Sequence, residues 1–101
     1  MRRASQAFLY KEKAMITLYS KPNCPYCDRS KIWLEKNGIP YITINVLEDE
    51  AALSFIRERG HKTVPQLYLD GDLLVEGGYT GLSKQDPEVL KEQIEKRDLA
   101  A

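Results

Sequence analysis

The chain has 101 residues, enough for one domain with a single buried core. Hydrophobic residues make up 43% and charged residues 30%, which is ordinary for a soluble globular protein. Fifteen basic residues balance fifteen acidic ones, arguing against a bulk electrostatic footprint for nucleic acid or an anionic membrane, and no apolar run approaches the roughly 20 residues that span a bilayer.

In chain order, residues 1–14 come first. Arg2, Arg3 and Ser5 with no acid before Glu12 faintly resemble an organellar transit peptide. The stretch is too short and too poor in apolar residues for a secretory signal, and a dispensable, poorly ordered extension is expected. Met15, directly before the first strand, is a candidate start.

Ile16-Thr-Leu-Tyr19 alternates β-branched, apolar and aromatic residues and reads as a strand. Ser20-Lys-Pro-Asn23 breaks it. Pro25 suits the first position of a helix, where a missing N–H costs nothing, and that helix should run to Asn37 with Gly38 as its left-handed stop. Cys27, Ile32, Trp33 and Leu34 sit along it. Trp33 reads as core or half-buried packing rather than as a ligand platform. Tyr41–Asn45 is a second strand, and strand, helix and strand within about 30 residues fit a right-handed βαβ unit.

Glu48-Asp-Glu50 opens a second helix at its positive end. Ala52, Phe55 and Ile56 form its apolar face, Arg57, Glu58 and Arg59 a solvated one, and Gly60 ends it. Residues 66–69 and 73–76 flank Asp70-Gly71, a type I′ hairpin signal. Gly77-Gly78 follows as a turn. Asp86-Pro87 caps a last helix reaching about Arg97, with Leu90 and Ile94 facing inward. The order β-α-β-α-β-β-α predicts an α/β fold, a four-stranded mixed sheet flanked by helices.

Cys24 and Cys27 are the only cysteines. Two are too few for a disulfide scaffold, and with a single histidine they cannot complete a four-ligand zinc site within one chain, so no metal is expected. Spaced two apart at a strand-to-helix junction, they suit thiol chemistry. Unpaired N–H groups and the helix dipole stabilise a thiolate at Cys24, Lys21 adds its charge, and such settings lower a thiol pKa from about 8.5 to roughly 3.5–7.5. Cys27, one turn inside, is more buried and stays protonated. Cys24 is therefore expected as a solvent-exposed attacking nucleophile and Cys27 as the resolving thiol.

Tyr26, between the thiols, reads as a rim for an incoming ligand. Thr63-Val64-Pro65 opens a strand in one of two ways. A cis peptide bond before Pro65 would leave the main chain of Val64 free to pair with an extended peptide; the alternative is a plain strand-start proline. Gly77-Gly78 with Thr80 offers exposed N–H groups and a hydroxyl to a carboxylate, although Gly-Gly after a strand is commonly only a turn. His61 reads as a surface loop residue.

The segments Lys21-Pro-Asn-Cys-Pro-Tyr-Cys27, Thr63-Val-Pro-Gln-Leu-Tyr-Leu69 and Gly77-Gly-Tyr-Thr80 occur in the order and spacing of a dithiol glutaredoxin. The resemblance covers residues 15–97 and implies a glutaredoxin-like domain over 15–101, a thioredoxin fold, a cis Pro65 and glutathione as reductant. By it Cys24 carries the glutathionyl mixed disulfide, Tyr26 lines the groove, and Val64, between Thr63 and Pro65, pairs with the cysteinyl part. Lys21, helped by Lys62, meets the glycyl carboxylate; Gly77, Gly78 and Thr80 hold the γ-glutamyl end. Relatives commonly carry an aspartate where this chain has Gly81. Loss of an exposed ion pair worth about 0–1 kcal/mol should weaken glutathione affinity or selectivity, and Gly81→Asp is expected to restore it.

The expected function is a cytoplasmic, monomeric glutathione-dependent oxidoreductase acting on protein disulfides and glutathionylated proteins. By resemblance, ribonucleotide reductase is one suggested substrate. No nucleic-acid or membrane partner is expected. Two alternatives stand beside it: a dimer holding an iron–sulfur cluster through Cys24 and glutathione, against which Pro25 stiffens the loop, and a redoxin reduced by thioredoxin reductase.

Overall fold

A computed structural model describes residues 15–100 of the chain. The expected N-terminal extension lies outside the described residues. The elements are β1 (Ile16–Ser20), α1 (Pro25–Lys36), β2 (Tyr41–Asn45), α2 (Glu50–Glu58), β3 (Gln66–Leu69), β4 (Asp72–Val75), α3 (Gly78–Ser83) and α4 (Pro87–Ala100). The strands form one sheet in the order β2-β1-β3-β4. β1 pairs parallel with β2, with Ile16 opposite Tyr41, and antiparallel with β3, with Ile16 opposite Leu69. β3 and β4 complete it as an antiparallel pair carrying an irregularity at Leu67/Tyr68.

Period-two alternation divides the core between the two faces of the sheet. Ile16, Leu18, Leu67 and Leu69 meet Leu34, Leu82, Leu90 and Ile94 on one side. Tyr19 and Tyr68 point the other way, against Val46, Ala52 and Ile56. β1 and β3 are thus central strands covered on both faces. Trp33 packs half-buried against the first core, as read from the sequence, whereas Ile32 on the same helix is 61% exposed. Leu34 is fully buried. Leu34→Ala should cost about 2–5 kcal/mol, and calorimetry should register a fall of at least about 8 °C in Tm.

Local signals account for the boundaries. Asp49 caps α2 by accepting from the N–H of Ala52 at 3.0 Å, and Asp86 accepts from Glu88 N–H at 2.9 Å at the start of α4. Asp70 and Gly71 both have positive φ, 52° and 84°, the geometry of a type I′ turn. β4 starts one residue earlier than expected and ends at Val75, and α4 continues past Arg97 to Ala100. The guanidinium of Arg97 ties this helix to the hairpin, lying 3.2 Å from Asp72 and 3.7 Å from Asp70.

The substantive difference is α3. Its segment reads as a Gly-Gly turn, yet Gly78–Ser83 is helical. Six residues opening on glycine carry no usable helical periodicity, and the segment is held by burial of Leu82 in the core. The observed order is therefore the expected α/β series with one short helix added before the last.

Candidate active site

Cys24 is the N-cap of α1, with extended φ and ψ of −120° and 99°. Asn23 before it takes a left-handed φ of 57°, a conformation asparagine tolerates better than most residues. The turn folds the Cys24 side chain back over the first helical turn, where its Sγ accepts the N–H of Cys27 at 3.2 Å. The carbonyl of Cys24 accepts from Asp28 N–H at 3.1 Å. The two cysteines form a disulfide, with their Cα atoms 5.2 Å apart.

This geometry corrects one expectation. Cys24 is only 7% exposed rather than open to solvent, and Cys27 is fully buried. As the cap, Cys24 turns its sulfur toward the helix, and the Thr63–Pro65 segment closes over it: the Val64 carbonyl oxygen lies 3.9 Å from Sγ. The Val64–Pro65 peptide bond is cis, deciding between the two readings left by the sequence.

Seven of the nine residues singled out as ligand contacts line one groove of about 370 Å³: Tyr26, Thr63, Val64, Pro65, and, on the opposite wall, Gly77, Gly78 and Thr80. Gln66 and Tyr79 complete it and were not singled out from the sequence. Gln66 donates to the Thr63 carbonyl at 2.9 Å, fastening the loop that carries Val64. The Tyr79 ring stacks on Tyr26 at 6.1 Å, and the Arg29 guanidinium sits 5.2 Å from the Tyr26 ring. Tyr79 could have been found only by recognising that α3 carries it to the wall beside Tyr26.

Lys21 and Lys62 do not line this groove. They stand with Arg57 around a separate hollow of about 150 Å³. Thr63 and Val64 belong to both, so the two depressions meet at the residue beside Cys24.

The Gly-Gly pair has a steric reason. Gly77 and Gly78 take φ of 86° and 58°, and a Cβ on Gly78 would stand 2.9 Å from the Pro65 carbonyl oxygen. α3 thereby approaches the cis-proline loop closely enough to form the groove wall. Gly81 is also closed to a side chain: its Cβ would overlap the Glu76 carbonyl oxygen and lie 2.9 Å from the Glu76 carbonyl carbon.

His61 lies in a loop, as expected, but not fully at the surface. It is half-buried, its Nε2 lies 2.6 Å from the Tyr68 hydroxyl, and its ring meets Tyr68 edge-on. Tyr68 is 3% exposed, and burial raises its phenol pKa, opposed by the Arg59 charge. The pair closes an aromatic cluster with Tyr19 and Phe55 under α2. Tyr68→Phe should leave a half-buried imidazole nitrogen without its partner at a cost of about 1 kcal/mol, measurable by urea unfolding; an unchanged midpoint would mean that water replaces the hydroxyl.

Among the described residues no group of three or more His, Cys, Asp or Glu side chains could hold a metal, and no helix is long and apolar enough to cross a membrane. A mixed four-stranded sheet with a cysteine pair at a helix N-terminus beside a cis-proline defines a thioredoxin fold whose two sulfurs are placed for thiol–disulfide exchange. The chain belongs to the glutaredoxin family, whose model, described as glutaredoxin, matches residues 16–74.

Three likenesses refine this. Over 44 residues, 44% of the chain, it is 46% identical to the global transcriptional regulator Spx 1 of Bacillus cereus, and it spans only 34% of that regulator's length. It resembles the glutaredoxin-like protein NrdH-redoxin of Escherichia coli, described as having a thioredoxin-like activity profile, with a TM-score of 0.59 and 26% identity over 77% of this chain and 92% of that one. It also resembles buckwheat glutaredoxin in its complex with glutathione, with a TM-score of 0.64 and 26% identity over 82% of this chain and 78% of that one.

Proposed function

We propose that this protein is a glutathione-dependent thiol–disulfide oxidoreductase that reduces glutathione mixed disulfides and protein disulfides. The observation that carries the reading is the groove, which runs from Tyr26 past Val64 to Gly78 and Thr80 and adjoins the sulfur of Cys24. The likeness to a glutaredoxin in complex with glutathione supports it.

In the reduced protein, the Cys24 thiolate attacks the glutathionyl sulfur of a mixed disulfide and expels the substrate thiolate. A new disulfide joins Cys24 to glutathione. A second glutathione thiolate attacks that glutathionyl sulfur, releases Cys24 and leaves as oxidised glutathione. With a protein disulfide, the Cys24 thiolate attacks one of its sulfurs, breaking that bond, freeing one substrate thiol and joining Cys24 to the other. Cys27 then loses its proton and attacks the sulfur of Cys24, so the substrate leaves as dithiol and Cys24–Cys27 as disulfide. Two glutathiones then restore the dithiol. The N–H of Cys27, 3.2 Å from the Cys24 sulfur, stabilises the anion as it departs.

Glutathione lies extended, its cysteinyl part against the main chain of Val64. Gly77, Gly78 and Thr80 receive the γ-glutamyl carboxylate, and Lys21 and Lys62 draw the glycyl carboxylate toward the neighbouring hollow. This chemistry runs in a reducing compartment such as the cytoplasm, on glutathionylated or disulfide-bonded proteins, ribonucleotide reductase among those suggested by the resemblance. A second reading, reduction by thioredoxin reductase, takes support from the likeness to NrdH-redoxin.

One assay separates the two. With hydroxyethyl disulfide, glutathione, glutathione reductase and NADPH, oxidation of NADPH should depend on this protein and saturate with glutathione. NADPH oxidation seen only with thioredoxin reductase would overturn the proposal in favour of the second reading.

A further inference from the structure

The hollow beyond Val64 differs in character from the groove before it. Val46, Leu53 and Ile56 give it an apolar floor, and Leu47, 67% exposed, stands at its edge. Lys21, Arg57 and Lys62 surround it. None of the three is in an ion pair with any described residue, and no aspartate or glutamate lines the hollow. An apolar floor ringed by unpaired cations fits a ligand segment that carries both an apolar side chain and a carboxylate.

The proposed placement of glutathione, on which this inference rests, brings only its glycyl residue to this hollow. Glycine has no side chain, so the carboxylate meets cations while the apolar floor stays uncovered. A polypeptide attacked at a cysteine continues past that point with a side chain at the glycine position and a further residue beyond it. We infer that this hollow selects protein substrates, taking an apolar residue directly after the attacked cysteine onto Val46, Leu53 and Ile56, and an acidic residue after that against Arg57. Val64 and Thr63 line both depressions, so one extended segment occupies them together without a gap. Burial of the apolar side chain supplies affinity, and the ring of cations disfavours a basic residue in the same place.

Thiol-exchange equilibria test the inference. The Cys27→Ser protein is loaded as its Cys24–glutathione disulfide and mixed with short peptides containing Cys-Leu-Glu, Cys-Leu-Lys or Cys-Gly-Gly. Each exchange releases one glutathione thiol and forms one peptide mixed disulfide, so mass spectrometry gives the constant directly. Cys-Leu-Glu should be favoured about tenfold over Cys-Gly-Gly, or about 1.4 kcal/mol, with Cys-Leu-Lys below Cys-Leu-Glu. Leu47→Ser should shrink the first preference and Arg57→Gln the second. Equal constants for the three peptides, or preferences untouched by both substitutions, would overturn the inference.

Exchange with 2-mercaptoethanol serves the separate question. If glutathione displaces it no better than expected for a plain thiol, the glutathione reading fails, while the ranking of peptides still reports on the hollow.

Discussion

Replacing Cys24 by serine should lower turnover of a glutathione mixed disulfide at least about a thousandfold, because a hydroxyl at neutral pH supplies no anion to attack sulfur. Cys27→Ser should behave differently. Glutathione can release the Cys24 mixed disulfide without a second protein thiol, so that variant keeps most of its activity on small mixed disulfides. It loses reduction of protein disulfides, where an internal thiolate must expel the substrate. The asymmetry follows from position. Cys24 caps the helix, next to the groove, whereas Cys27 is sealed inside the first turn with no exposed surface.

Alkylation of the reduced protein gives an independent check. Iodoacetamide should modify Cys24 before Cys27 and should do so at a pH where a peptide cysteine is still inert. A Cys24→Ser protein with undiminished turnover, or a Cys24 that alkylates like an unstructured cysteine, would remove the basis of the assignment.

Gly81→Ala is expected to be the most damaging small substitution in α3, the helix behind the wall of the groove. Its Cβ would overlap the Glu76 carbonyl oxygen and press to 3.2 Å from Val75 Cγ1, and a backbone carbonyl next to a buried strand cannot swing away. The cost should be about 3 kcal/mol, a fall of more than about 12 °C in Tm. Gly38→Ala is the comparison. No atom lies within 4 Å of a Cβ there, and only the left-handed φ of 68° must be borne, at about 1–2 kcal/mol. Equal melting temperatures for the two variants would show that the Val75–Gly77 backbone yields.

The same clash changes the meaning of Gly81→Asp. Read from sequence, that substitution restores a carboxylate for the γ-glutamyl ammonium and improves glutathione affinity. In the folded chain it first has to displace the Glu76 main chain, so the substitution measures packing of α3 before it measures binding. The absent carboxylate and the tight contact are one feature: where α3 lies this close to the end of β4, only glycine fits.

Local chemistry made much of the molecule readable in advance. Cys24-Pro-Tyr-Cys27 at a strand-to-helix junction, Asp70-Gly71 between two apolar runs, and the Asp49 and Asp86 caps each place a backbone conformation within a few residues. The alternation of residues 16–19 marks β1 as a strand, which the structure places in the centre of the sheet. Such signals act through nearest neighbours, and the chain carries them wherever it goes.

What needed the tertiary structure lies between segments far apart in sequence. The burial of Cys24 depends on Val64, forty residues on. The partnership of His61 with Tyr68 requires α2 and β3 to be docked first. The parting of Lys21 and Lys62 from the groove, and their meeting with Arg57 around a second hollow, depends on β1, α2 and the loop before β3 converging at one end of the sheet. Residue types and spacing determined that this chain carries a thiol pair on an α/β frame. Only long-range packing decided how far that sulfur is covered and which charges stand beside it, since contact across a fold leaves no periodic mark along the chain.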